Sequence, residues 1–135
     1  MIRSISPGFA VAPQLTPADV RAVAKRGFTT LVNNRPDDEE PDQPTDAAIR
    51  AAAEAVGIAY VSVPIDPTGP TRDKVDAMAA AIEASDGPVL AFCRSGTRST
   101  FLWALARSQA GEAADTLIEQ AAAAGYDITP IRPIL

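Results

Sequence analysis

At 135 residues, with 21% charged and 47% apolar side chains, the chain has the make-up of one soluble globular domain, residues 1–135, large enough to bury a single core. Twelve basic against seventeen acidic side chains give a net charge of −5. No Lys/Arg cluster breaks that balance, which argues against nucleic acid or an anionic membrane as a partner. The chain has no histidine and one cysteine. His-based triads and His-ligated metal sites are therefore excluded, as are an internal disulfide and a resolving cysteine.

No apolar stretch approaches the length of a membrane span. The N-terminus, Met1-Ile2-Arg3-Ser4-Ile5-Ser6-Pro7, leads into no continuous hydrophobic run, so no signal peptide is expected. Together with the lone thiol, these features point to a reducing cytoplasm. Strand and helix signals then alternate, which predicts an α/β fold with a mostly parallel sheet. Ile2 to Ser6 and Phe9 to Val11 suit a short N-terminal strand or hairpin. Thr16-Pro17-Ala18-Asp19 reads as a cap, a proline at the first helical position and an acid at N3. The helix it opens stops at Gly27.

Phe28 to Val32 is a buried strand by its composition. Asn33 to Pro44 is a polar, Pro-rich loop, within which Asp37-Asp38-Glu39-Glu40 and Asp42 read as a solvated acidic rim. Arg35 is expected in a loop salt bridge rather than in a cleft. Thr45 caps a second helix ended by Gly57, and Ile58 to Ile65 forms the next strand. After the turn at Asp66-Pro67-Thr68-Gly69-Pro70, Thr71 caps a third helix with Val75, Met78, Ala79 and Ile82 in one stripe. Gly87-Pro88 ends it, Val89 to Phe92 form the central strand, and Ser99 to Ala110 form a helix with Trp103 in the core. A last helix runs to about Ala124, and Gly125 to Leu135 is an irregular tail. No repeat, linker or second domain is evident.

The chemistry concentrates where the central strand delivers Cys93 into the loop Cys93-Arg94-Ser95-Gly96-Thr97-Arg98. A thiol there can sit inside a ring of backbone N–H groups at a helix N-terminus, where the dipole favours the anion. Arg98 can face an anionic ligand in the same ring with a planar, permanently charged fork, and Arg94 can assist it. Gly96 supplies a positive φ, while Ser95 and Thr97 supply amides. Ser99 suits either a hydroxyl that hydrogen-bonds the thiolate or a helix N-cap.

The stretches Leu31-Val32-Asn33-Asn34-Arg35-Pro36-Asp37 and Phe92-Cys93-Arg94-Ser95-Gly96-Thr97-Arg98-Ser99, with Pro13-Gln14-Leu15-Thr16 upstream, resemble the bacterial beta-lactamase hydrolase-like protein, phosphatase-like domain family. The resemblance covers nearly the whole chain. It implies the architecture of dual-specificity cysteine phosphatases: three layers, with helices on both sides of the sheet. Some relatives carry a fused, persulfide-oxidising metallo-hydrolase-like domain. The Cys-Arg-Ser-Gly-Thr-Arg-Ser run is also similar to the active loop of single-domain rhodaneses. Cysteine phosphatases place five residues between nucleophile and arginine, whereas four separate Cys93 from Arg98.

Each loop residue adds one N–H to the cradle, so the shorter loop is the tighter ring. A terminal sulfur needs less room than a phosphoryl group. The leading expectation is therefore a sulfurtransferase, in which Cys93 takes the sulfane sulfur of thiosulfate or a small persulfide and passes it to an external thiol or cyanide. A phosphatase working through a phosphocysteine at Cys93 is the alternative. It requires a general acid, for which Asp66 is the candidate on its loop after the strand; a turn-forming role is the plainer account of that residue. A non-catalytic module that binds anions or persulfides is the third possibility. None of the three requires a metal or organic cofactor, and the oligomeric state is left open.

Overall fold

A computed structural model describes all residues, 1–135. Five strands form one sheet in the order β1-β2-β5-β3-β4. The hairpin strands β1 (Arg3–Ser6) and β2 (Phe9–Ala12) are antiparallel. All other pairings are parallel: β2 with β5 (Val89–Phe92), β5 with β3 (Thr30–Asn33), and β3 with β4 (Ala59–Ser62). The expected central strand is therefore in the middle, and its four residues are buried on both faces, as parallel strands covered by helices are.

Side chains alternate between two cores along these strands, as the two-residue period of a strand dictates. Phe9, Val11, Val32, Val89 and Ala91 join one core, which α3 (Arg72–Ala84), α4 (Thr97–Gln109) and α5 (Ala114–Ala123) complete. Ala10, Ala12, Leu31, Leu90 and Phe92 join the other, under α1 (Pro17–Lys25) and α2 (Asp46–Val56). The result is the expected three-layer sandwich. Trp103 is fully buried on α4 and stacks on Phe9 with centroids 5.9 Å apart, the core role its helix position predicted.

Local signals explain most element ends. Thr16 and Asp19 form a reciprocal capping box, with Pro17 in the first turn of α1. The Thr45 hydroxyl accepts from the Ala48 N–H, and Gly57 closes α2 at φ +78°. Thr71 precedes α3 without capping it; its hydroxyl instead donates to the Asp73 carboxylate. The strands are shorter than their apolar runs. Beyond Ser62, the chain stays extended through single bonds from Val63 N–H to Asn33 and from Ile65 N–H to Asn34. No helix is long and apolar enough to cross a membrane.

Candidate active site

The carboxyl ends of β2, β5 and β3 converge, the usual position for a ligand in an open parallel sheet. The Cys93 N–H donates to the Ala12 carbonyl at 3.4 Å, and the Asn34 N–H to Phe92 at 2.8 Å. Those bonds fix where β5 releases the loop. The loop is shorter than the sequence suggested, because α4 begins at Thr97 rather than Ser99. Gly96 takes the last non-helical position at φ +93°, a left-handed conformation that L side chains rarely adopt. Arg98 accordingly projects from the first turn of α4, not from the loop.

The thiol sits where the sequence placed it. Cys93 is fully buried and its Sγ accepts the Gly96 N–H at 3.0 Å. The Gly96 carbonyl is held from the other side by the Thr100 N–H at 3.0 Å and its hydroxyl at 2.8 Å. The first turn of α4 leaves N–H groups without intrahelical acceptors, and the N–H of Thr97 reaches only the Ser95 hydroxyl, at 3.5 Å. The Ser95 hydroxyl in turn donates to that of Thr97 at 3.1 Å. Both residues thus do more than present amides.

Ser99 corrects an expectation. It is the third residue of α4, not its cap, and its buried hydroxyl hydrogen-bonds neither the sulfur nor any other group. The helix starts two residues early because Gly96 can cap it through its backbone alone, which turns Ser99 inward. Its lone polar atom at full burial is unusual and lies one residue from Arg98.

Arg98 is gripped rather than free. Its Nη1 donates to Glu39 Oε2 at 2.8 Å and to the Ile65 carbonyl at 2.7 Å, and Nη2 donates to Glu39 Oε1 at 2.9 Å. Those bonds fix the plane of the fork and leave Nε–H and one Nη2–H uncommitted to the carboxylate. The Glu39 carboxylate holds the guanidinium more firmly protonated, and the nearby Cys93 sulfur adds to the effect. Glu39 is the residue that the sequence reading missed. Asp37, Asp38, Glu40 and Asp42 are exposed, as a solvated rim requires, but Glu39 turns inward: Arg35, with a side chain only 3% exposed, donates Nε to Glu39 at 2.8 Å and Nη2 to Glu40 at 2.7 Å. Arg35 Nη1 reaches Gln14 Oε1 at 3.1 Å.

The Arg35 loop salt bridge is as predicted. Arg94 stands on the exposed rim with its Nε 3.3 Å from Glu40. Asp66 forms a local turn, its Oδ1 accepting the Thr68 N–H at 2.8 Å and the Thr68 hydroxyl. Chiefly through that hydroxyl, its carboxyl is held below the ordinary range.

The hydrogen bonds from Arg98, followed by those from Arg35, pull the Glu39 pKa from 4.5 to about 2 against the opposing effect of burial. A carboxylate whose pKa falls on folding stabilises the native state above its unfolded value and loses that contribution as protons bind. Stability to urea is therefore expected to decline as pH falls from about 4.5 toward 2. In Glu39→Gln this part of the decline should flatten. Parallel wild-type and variant curves across that window would show that the pair does not link folding to pH.

Comparison with known proteins places this geometry. The family model for the beta-lactamase hydrolase-like protein, phosphatase-like domain, matches residues 1–112. The chain belongs to that family. A beta-lactamase hydrolase-like protein of Xylella fastidiosa is 45% identical over 82 residues, covering 61% of this chain and 19% of that protein. The counterpart in Agrobacterium fabrum is 37% identical over 112 residues, covering 82% and 24%. This phosphatase-like chain thus spans under a quarter of the length of these curated relatives.

Among solved structures, a candidate phosphatase of Neisseria meningitidis superposes with TM-score 0.84 at 34% identity, covering 98% of this chain and 94% of its own. Tk-PTP matches with TM-score 0.74 at 21% identity over 98% and 90% of the two chains. P. aeruginosa TpbA matches with TM-score 0.67 at 20% identity over 98% and 80%. At such identities the last two establish the fold alone: the phosphatase-like α/β architecture inferred for this family from its loop motifs. The sulfur-transfer expectation finds no support in these comparisons, in which the family's domain and the Neisseria structure are named for phosphatases. The four-residue spacing that favoured it is a local property of one loop, whereas the similarity extends over the chain.

Proposed function

We propose that the protein is a cysteine-dependent phosphatase acting on small anionic phosphomonoesters. The observation that carries this reading is Cys93 Sγ receiving the Gly96 N–H at the start of α4, with the Glu39-held Arg98 fork on the following turn. The thiolate attacks phosphorus and the bond to the leaving oxygen breaks, giving a phosphocysteine. The unpaired first-turn N–H groups and the free N–H donors of Arg98 take up charge on the phosphoryl oxygens. Water then cleaves the S–P bond, releasing inorganic phosphate and the free thiol.

Asp66 follows Ile65, whose carbonyl Arg98 binds, and is the group to protonate the leaving oxygen. Its lowered pKa makes it a weak acid catalyst near neutrality. Aryl phosphates, whose leaving oxygens need little protonation, are therefore the preferred substrates. Arg94, on the rim, assists capture of the anion, and the acidic surroundings at Glu39 and Glu40 disfavour highly charged ligands.

A second reading is sulfur transfer, favoured by the four-residue spacing. There the thiolate attacks the outer sulfur of thiosulfate, the S–S bond breaks, sulfite leaves, and the Cys93 persulfide passes to an external thiol or cyanide. Release of phosphate from an aryl phosphate and formation of thiocyanate from thiosulfate and cyanide are the two assays to run side by side. Cys93-dependent phosphate release exceeding thiocyanate formation is the expected result. Thiocyanate formation without phosphate release would reverse the assignment.

A further inference from the structure

Tyr126 lies in the segment after α5, 31 residues along the chain from Ser95, yet its hydroxyl donates to the Ser95 carbonyl at 3.1 Å. Its ring covers Gly96 so closely that a Cβ built there would lie 2.3 Å from the phenol oxygen and 2.9 Å from Cζ. The Ser95 carbonyl and the Gly96 N–H are the two ends of one planar trans peptide, so they point in opposite directions. Tyr126 holds one end, and the other donates to Cys93 Sγ at 3.0 Å. Turning that peptide about its flanking bonds would break both contacts together.

We propose that Tyr126 is a positioning residue for the nucleophile, locking the Ser95–Gly96 peptide with its N–H directed at the Cys93 sulfur. The inference rests on Cys93 being the reactive group and holds for either phosphoryl or sulfur transfer. Donation into the carbonyl also polarises the amide and strengthens its N–H as a donor. The segment is anchored to do this. The Tyr126 N–H donates to the Ala121 carbonyl at 2.9 Å, and Ile128 is fully buried in the core. Arg3 of β1 donates to the Ala124 carbonyl at 2.9 Å and lies over the Tyr126 ring at 5.9 Å. Burial keeps the phenol protonated beyond its ordinary range, against the pull of Arg3, so it remains a donor.

The charged groups around the sulfur are Arg98 on α4, Glu39 behind it from the β3–α2 loop, the exposed Arg94 next in the chain with Glu40 beside it, and Arg3 across the Tyr126 ring. None of them is altered in Tyr126→Phe, which keeps the ring and removes only the hydroxyl. Because Cys93 is the one cysteine, ultraviolet thiolate absorbance, read against the matching Cys93→Ser protein, reports its ionisation alone. The midpoint in Tyr126→Phe is expected to move up by about half a pH unit, the scale of one lost neutral hydrogen bond. Turnover should fall about three- to tenfold in kcat with KM unchanged. An unmoved midpoint in a folded Tyr126→Phe protein would overturn the role. The titration decides this even if Cys93→Ser retains turnover, a result that would sink the nucleophile assignment instead.

Discussion

Cys93→Ser is expected to reduce aryl phosphate hydrolysis to the uncatalysed background while leaving the fold and inorganic phosphate binding intact. A hydroxyl at this position is a poor nucleophile unless a base removes its proton, and a chain with no histidine lacks the commonest one. A thiol needs less help, because its anion is far more accessible and accepts the Gly96 N–H at 3.0 Å. The substitution nearly preserves the volume of a side chain that is fully enclosed, so collapse of the fold is not expected. Steady-state assay combined with calorimetric titration of phosphate checks both halves. Binding kept and turnover gone supports nucleophilic catalysis. Turnover kept would remove Cys93 from the mechanism, and a wild-type protein that binds phosphate but never turns over would instead be a binding module.

Arg98→Lys is expected to lower kcat/KM by about 10²- to 10³-fold, the range for losing a preorganised donor set at a developing oxyanion. The change keeps the charge and loses the fork. In the native site Nη1 and Nη2 together grip both oxygens of Glu39, and Nη1 also holds the Ile65 carbonyl. An ammonium can satisfy one oxygen of that carboxylate but cannot hold a plane against it. Glu39 would then face the incoming anion partly uncompensated. Adding Glu39→Gln to Arg98→Lys should therefore cost little more, because the two residues act as a unit. Fully additive losses, or an Arg98→Lys enzyme with native kcat/KM, would show that the fork does not serve the anion.

Much of this was legible in the chain. The Thr16/Asp19 capping box, the terminating Gly57 and the apolar run Val89 to Phe92 each encode local geometry through nearest neighbours, and these place Cys93 at the carboxyl end of the sheet. The loop motif placed the thiol, its glycine at positive φ, and the family. What escaped was long-range. Glu39 and Arg98 are 59 positions apart and Tyr126 and Ser95 are 31 apart, and nothing in an acidic run or an irregular tail names such a partner. Ser99 failed for a different reason. Whether a hydroxyl caps a helix depends on a start point two residues away, and Gly96 moved that start to Thr97. Reaction type was the hardest to read, since four rather than five loop residues is a small steric difference within an unchanged architecture.

The most direct test of the account is the intact mass of wild-type protein quenched in acid during turnover of an aryl phosphate, with Cys93→Ser alongside. The account predicts a transient gain of one phosphoryl group that is absent from the variant. An unmodified chain throughout turnover, or a gain of one sulfur atom from thiosulfate with none from the phosphate ester, would contradict it.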